Sequence, residues 1–465
     1  MEFKIVRDPI YGYIKIPSEY LINFVDTRIF QRLRRVEQTS MRSLYPSAHH
    51  DRFVHSLGVY HLGTLAFRNI KINSTKYLND ILKDEEWDLI QSSFEIACLM
   101  HDCGHSPFSH TFEHYYVLNR GEEIDDRLRV NFQEDEDFSR DYKRSSPAAH
   151  EKISCLVLLE KYRESILKCG GNPFLVGRMI MGCTYRNNPS ILCKVHNKFI
   201  NLLNGTALDV DSLDYIQRDS WASGVNNVSI DYDRLLGSLV IKLDKVGDPI
   251  VGFKKHAISV LENISLGRNF LYKWIYSHHK VLYDQYLLTN SVDLIDKETN
   301  NEFCRELFSI DNFYEPKSYN GTHLFLPTDD DVFYCLKKFH KDGSVIDEYL
   351  SRSYKYKALW KTQIEFDNIF EGLSSEDLME IETQLNLKEL DSFLGENSNI
   401  CISAKPKLKG FKQNHYFIFI DGSTIDASKL VNVKDEQNRF FYLYVSQDCL
   451  GRKKEIIQKI LSFKN

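Results

Sequence analysis

The sequence predicts a mainly α protein with an N-terminal β-hairpin and a small C-terminal α+β region. Three observations carry that reading. Apolar residues recur at helical spacing through most of residues 18–295. The opening residues alternate apolar and polar around turn signals at Asp8-Pro9 and Gly12. Beyond about residue 300, short aromatic and β-branched runs replace the helical pattern.

Taken in order, Phe3 and Ile5, then Ile10, Tyr13, Ile14 and Ile16, form the two arms of the hairpin. From Ser18 the period turns helical through Tyr20, Leu21, Phe24, Val25, Phe30, Leu33 and Val36. After a turn at Tyr45-Pro46, a helix is expected from near Arg52 through Leu57, Tyr60, Leu65 and Ile70, and another over Trp87 to Cys103. Residues 119–149 are highly charged and poor in apolar side chains, and read as a solvated insertion or a mobile lid. Helical patterns resume over 150–168, 174–184, 196–218 and 231–242, and a long one covers about 254–295. HYFIFID (415–421) and RFFYLYVS (439–446) read as strands, and GRKKEIIQKILSFKN as a short amphipathic helix. The expected division is a core of residues 1–300, carrying the 119–149 insertion, and a C-terminal α+β region of 301–465.

With 43% hydrophobic residues among 465, the chain has ample material for a core. Its net charge of -6 argues against coating nucleic acid by bulk electrostatics, yet leaves room for a local basic pocket. The N-terminus lacks the apolar run of a secretory signal, and no stretch approaches the ~18 apolar residues of a membrane helix. The ten cysteines are scattered without a C-x-x-C pair. That pattern fits a reducing cytoplasm and argues against a cysteine-rich zinc site.

Chemistry concentrates in LMHDCGHSPFSHTFEH (99–114), where four histidines, an aspartate and a glutamate follow an apolar helix. His101 and His105, four apart, would share a face if the helix continued, and Gly104 and Pro107 suggest that it breaks there. Two more segments join the candidate: HHDRFVHSLG (49–58) and LDVDSLDYIQRD (208–219). In the second, acidic residues alternate with Val210, Leu213 and Ile216, and buried carboxylates need a metal or a cation. The plain alternative is a solvated acidic face with Asp209 as helix N-cap. A mixed imidazole and carboxylate set suits Fe, Mn, Zn or Ni better than Ca.

The ordered set of His55 in RFVHSLGV, His101-Asp102 in HDCGHSPFSH, His150-Glu151, and Asp211 in DVDSLDYIQRD resembles the HD-domain superfamily. More narrowly, it resembles the dGTPase-like deoxynucleoside triphosphate triphosphohydrolases. The likeness begins at DPIYGYIKIP and persists to about residue 290. It implies an HD-domain helical core with His55, His101, Asp102 and Asp211 as metal ligands. It places Arg52 and Arg268 on substrate phosphates, and His105, His110 and His150 beside the phosphate and the scissile bond. Tyr215 and Asp219 fall where the phosphate tail and the sugar 3′-hydroxyl are touched, Gln38 at the other sugar contact, and Tyr276 beside sugar and base. The implied reaction releases deoxynucleoside and inorganic triphosphate, with His110, oriented by Glu113, or His150 protonating the leaving oxygen. Mg²⁺ would arrive with the phosphates.

Three departures bear on substrate choice: Ser212 stands where some relatives have a phosphate-binding lysine, Glu113 replaces an aspartate, and Tyr272 replaces a histidine near the base. The resemblance also implies a homo-oligomer activated by nucleotide. Asp26, Gln31, Arg34 and Arg234 match regulatory positions, whereas Arg7 and Tyr13 do not, and Lys254 and His256 match only loosely. The plain reading of Asp26, Gln31 and Arg34 is a locally paired helix surface. Two other functions fit the same residues: HD-type hydrolysis of another nucleotide or a nucleic-acid end, and nucleotide binding without catalysis.

Overall fold

The computed structural model describes residues 2–205, 208–225, 228–319, 322–408, 410–411, 413–421, 423–430 and 440–463. Strands Phe3–Asp8 and Gly12–Pro17 pair antiparallel, with Asp8 opposite Gly12. The Asp8 carboxylate accepts the backbone N–H groups of Ile10 and Tyr11 and so sets the turn. Ile14 and Ile16 on one face are fully buried and dock the hairpin on the helical body. The helical stretch expected from Ser18 is broken into turns at Ser18–Tyr20, Leu21–Val25, Arg28–Arg32 and Leu33–Arg35.

Two long helices, Arg52–Leu78 and Asp84–Met100, pack along each other at the centre. The first starts where the Asp51 carboxylate accepts the Val54 N–H at 3.0 Å. The second ends at Met100, short of the expected Cys103, so His101 and His105 do not share a helical face. The His101 side chain itself takes the Cys98 carbonyl that would otherwise continue the ladder.

Residues 119–149 pack against the body instead of forming an open loop. Helix Glu113–Asn131, irregular at Arg120, and helix Phe138–Tyr142 turn Ile124, Leu128, Phe132 and Phe138 inward. The buried Arg178 ties the segment down through Asp135 at 2.7 Å and Asp141 at 3.1 Å.

Three helical expectations need correction. The 196–218 pattern is two helices, Ile191–Leu203 and Val210–Ser223. The 231–242 pattern ends as helix at Leu236; Leu239–Leu243 is a strand paired antiparallel with Pro249–Lys254. Leu239, Val240 and Ile241 are all buried, and a run buried on both faces carries no period to read. The long 254–295 helix is split into Ile258–Phe270, a wide turn over Leu271–Tyr276, and His279–Glu298.

The described C-terminal strands serve three sheets, one of them the pair Lys317–Tyr319 and Thr322–Leu324. Phe417–Ile420 pairs parallel with Pro249–Lys254, Gly252 facing Phe417. Phe440–Ser446 lies between Tyr356–Ala358 and Asn399–Ala404. Residues beyond 301 contribute to both apolar clusters: buried residues between Phe303 and Ile346 and between Phe411 and Ala427 join the first, while those between Ala358 and Ala404 and between Phe440 and Ile460 form most of the second. The expected class stands: a mainly α protein with an N-terminal hairpin and C-terminal α+β elements. No described helix is long and apolar enough to cross a membrane.

Candidate active site

Two helix N-termini and one turn bring this part of the site together. The N-terminal turn of Arg52–Leu78 supplies Arg52 and His55. The turn after Met100 supplies His101, Asp102 and His105. The N-terminus of Val210–Ser223 supplies Asp211, with Asp209 as its N-cap accepting the Ser212 N–H at 2.7 Å. Gly58 allows the approach of that helix: a Cβ there would lie 1.9 Å from Asp214 Oδ1. Gly104 does the same for the catalytic turn, where a Cβ would meet the Ser154 backbone nitrogen at 2.4 Å.

The four expected metal ligands converge. His55 Nε2 lies 3.0 Å from Asp211 Oδ1 and 3.6 Å from Asp102 Oδ2. His101 Nε2 lies 3.4 Å from Asp102 Oδ1 and 3.8 Å from Asp211 Oδ1. The other ring nitrogens are occupied: His55 Nδ1 bonds Asp214 at 2.7 Å and His101 Nδ1 bonds the Cys98 carbonyl at 2.9 Å. Those bonds fix the tautomers, so both Nε2 lone pairs face the cluster, and both atoms are buried without a hydrogen-bond partner. Donors at these separations fit one ion held at about 2.0–2.2 Å from each. The cluster therefore fits a divalent metal: ligand atoms of His55, His101 and Asp102 lie within 4.8 Å of one another, and Asp211 Oδ1 stands 3.0 Å from His55 Nε2.

Sequence reasoning missed the support behind these ligands. Asp214 also pairs with Arg218 at 2.8 Å and accepts from the Tyr11 hydroxyl at 2.7 Å, and Arg218 reaches Asp8 at 3.0 Å. Burial opposes charge on Asp102, but Arg52 at 2.5 Å together with His101 and His105 holds the carboxyl well below the usual range. Asp209 goes the other way: burial beside Asp211 pushes it up to about 7.

A second cluster sits next to the first. Glu113 holds two imidazoles on separate oxygens, His110 Nδ1 at 2.8 Å and His150 Nδ1 at 2.6 Å. The His105 and His150 rings stack at 3.9 Å, and His105 Nε2 is 3.3 Å from Asp102. Burial, Arg52 and His150 hold His105 well below the usual imidazole range. Burial would lower His150 too, but Glu113 outweighs it and raises its pKa.

Both clusters open into one cavity of about 760 Å³. Gln38, Tyr215, Asp219, Arg268 and Tyr276 line it as expected. Gln38 is brought there by pairing of Glu37 with Asp51, and its buried Oε1 lacks a partner. Asp219 is held between the Tyr276 hydroxyl and His50 Nε2, the latter at 2.7 Å, a contact not anticipated. Lys405 and Lys407, from a stretch with no recognised motif, also line it. Of the regulatory candidates, Gln31 and Arg34 bond each other at 2.8 Å and Asp26 is exposed nearby in the chain, while Arg234 bonds the His256 carbonyl.

No family model matches the chain. It is 30% identical over 282 residues to an uncharacterized protein of Mycoplasma genitalium, covering 60% of this chain and 57% of that one. It is 29% identical over 325 residues to a Dictyostelium discoideum protein named deoxynucleoside triphosphate triphosphohydrolase SAMHD1 homolog, covering 68% of this chain and 52% of that one. The chain thus spans little more than half the length of these relatives. A phosphohydrolase structure from Bacteroides thetaiotaomicron matches with a TM-score of 0.62 at 20% identity, over 96% of this chain and 100% of that one. A putative HD domain-containing protein of Acanthamoeba polyphaga mimivirus is 29% identical over 313 residues, covering 64% of this chain and 60% of that one; with it the HD-type resemblance stands, and the solved structure supports the helical fold.

Proposed function

We propose that the chain hydrolyses deoxynucleoside triphosphates to deoxynucleoside and inorganic triphosphate. The observation that carries this reading is the opening of both polar clusters into one cavity that also holds Arg268, Tyr276 and Gln38. Its volume, about 760 Å³, falls within the range for small-molecule sites, roughly 300–1,000 Å³. A divalent cation held by His55, His101, Asp102 and Asp211 supplies Lewis acidity toward a phosphoryl oxygen and acidifies water. Fe, Mn, Zn or Ni suits that set, and Mg²⁺ would accompany the phosphates.

The chain's own residues do the rest. Glu113 holds His110 through Nδ1, and His110, which lines the cavity, is the proposed proton donor to the leaving 5′-oxygen against the downward push of burial on its pKa. His150 holds a proton more firmly than a free imidazole and is the alternative donor, while His105, held below the usual imidazole range and directed at Asp102 through Nε2, lines the phosphate side of the cavity. Arg52 orients Asp102, and Arg268 faces the phosphate tail with Tyr215 beside it. Gln38 and Asp219 recognise the sugar and Tyr276 packs beside sugar and base. The reading includes a homo-oligomer activated by nucleotide at Asp26, Gln31, Arg34 and Arg234.

The test is a product assay with each dNTP and GTP, singly and mixed, with Mn²⁺ or Mg²⁺. Deoxynucleoside plus intact triphosphate is expected, and is lost in the His101→Ala/Asp102→Ala variant. Activity confined to mixtures would mark activation. Metal-loaded protein that yields no such products sinks the reading and points to other phosphoesters.

A further inference from the structure

Even with a divalent cation on Asp102 and Asp211, the cavity is short of positive charge for a polyanion unless cations from elsewhere enter it. Asp102, Glu113, Glu151, Asp209, Asp211 and Asp219 all line it. Against these carboxylates the lining offers four fixed cations, Arg52, Arg268, Lys405 and Lys407. Arg52 is already engaged: Nη1 lies on Asp102 at 2.5 Å and Nε donates to Ser109 Oγ at 2.7 Å. Ser212 offers no help, since its hydroxyl donates to the Asp209 carbonyl at 2.9 Å. Arg268 lies over the Tyr272 ring at 4.2 Å and donates one N–H to the Lys407 carbonyl at 2.7 Å. A single guanidinium then faces the tail, with no further cation from the first 300 residues.

The two lysines sit on a strap built to hold them there. Ala404 ends strand Asn399–Ala404 and is buried in the second apolar cluster, whereas Phe411 is buried in the first. Between them Pro406 is buried while Lys405 and Lys407 are exposed to the cavity mouth. The Leu408 N–H bonds the Pro406 carbonyl at 2.9 Å, and the Arg268 bond fixes the Lys407 backbone. Among the described residues neither lysine pairs with a carboxylate. Unpaired ammonium groups facing a carboxylate-rich cavity are matched by an anion that spans them, and a longer phosphate chain meets more of them.

We infer that Lys405 and Lys407 are phosphate-tail ligands of this cavity, and that they make it select a triphosphate over shorter phosphate chains. This rests on the proposed hydrolysis only for the identity of the nucleoside; the anion preference follows from the charges. The test uses the full metal-loaded chain and the double variant Lys405→Ala/Lys407→Ala, with inorganic triphosphate and orthophosphate as probes in titration calorimetry. Triphosphate binding is expected to weaken by about tenfold or more, and orthophosphate binding by much less. In steady state the loss with dNTP falls on KM, and Lys405→Arg/Lys407→Arg restores it. Wild-type triphosphate affinity in the alanine variant overturns the inference. Lysine-dependent triphosphate binding in a protein that hydrolyses no dNTP sustains it and removes the proposed reaction instead.

Discussion

At the scale of single residues, the site is governed by which nitrogen each imidazole presents. Glu113 decides this for two rings at once, and its two oxygens leave no freedom to either. The carboxyl is held well below the ordinary range: burial raises it, and the bonds from His110 and His150 more than reverse that. In return, His150 is raised above a free imidazole, about 6.5. The pair's stabilisation is therefore complete below that value and is lost as pH rises through the raised His150 pKa. Glu113→Gln should lower activity by about 10–100-fold and move the alkaline limb of the pH–rate profile to lower pH. A profile unmoved in the variant would remove Glu113 from proton handling. The clustering of the histidines proposed as ligands and catalysts was legible because each lies in a short, chemically crowded stretch of sequence. Their supports were not: Tyr11 reaches Asp214 across 203 residues and His50 reaches Asp219 across 169, and neither pairing leaves a local pattern.

Among the elements, the helix Asp329–Lys338 matters more than its sequence suggests. Its first residue, Asp329, is buried and accepts the backbone N–H of Phe108 at 2.6 Å and of Glu37 at 2.9 Å. Phe108 and Ser109 sit at φ 53° and 55°, a conformation that costs non-glycine residues about 1–3 kcal/mol and persists only when held. Arg32 reinforces the grip, donating to the His105 carbonyl at 2.6 Å and the Pro327 carbonyl at 2.8 Å. Thus a C-terminal element clamps the catalytic turn on one side and the Gln38 segment on the other. Asp329→Ala should strand both donors at about 1–3 kcal/mol each and speed amide exchange over residues 105–110. Unchanged exchange there would show that the turn holds itself. Burial also pushes Asp329 up to about 7. A folded pKa above the unfolded value, about 3.9, gives a stability contribution present below that value and lost as pH rises through 7. Denaturant midpoints of Asp329→Asn should therefore gain on the wild type between pH 5 and pH 8. Helices with one apolar stripe were legible; the Leu239–Leu243 strand was not, because burial on both faces erases the period, nor was the break before His279, because Leu271, Trp274 and Ile275 carry the apolar spacing on through it.

On the scale of the whole molecule, segments from beyond residue 300 reach back to a cavity whose proposed metal holders all come from before it. Asp329 clamps the catalytic turn, Lys405 and Lys407 face the cavity, and Phe417–Ile420 extends the sheet begun by Leu239–Leu243. The apolar packing follows the same plan, since buried residues between Phe303 and Ile346 and between Phe411 and Ala427 belong to the cluster that contains the central helices. The strap between Ala404 and Phe411 joins the two clusters, so a shift of one against the other would move the lysines relative to Arg268. A fragment of residues 1–300 keeps His55, His101, Asp102 and Asp211 yet bares the apolar surface that those later residues cover. It is expected to bind a hydrophobic dye, to unfold without the cooperativity of the full chain, and to lose hydrolysis even when metal is supplied. Adding residues 301–465 as a separate chain should restore part of the activity, because the interface is apolar and supplies no covalent step. A 1–300 fragment that unfolds cooperatively and turns over substrate at the full-length rate would place the whole catalytic apparatus in the first segment and reduce the clamp and the strap to surface features.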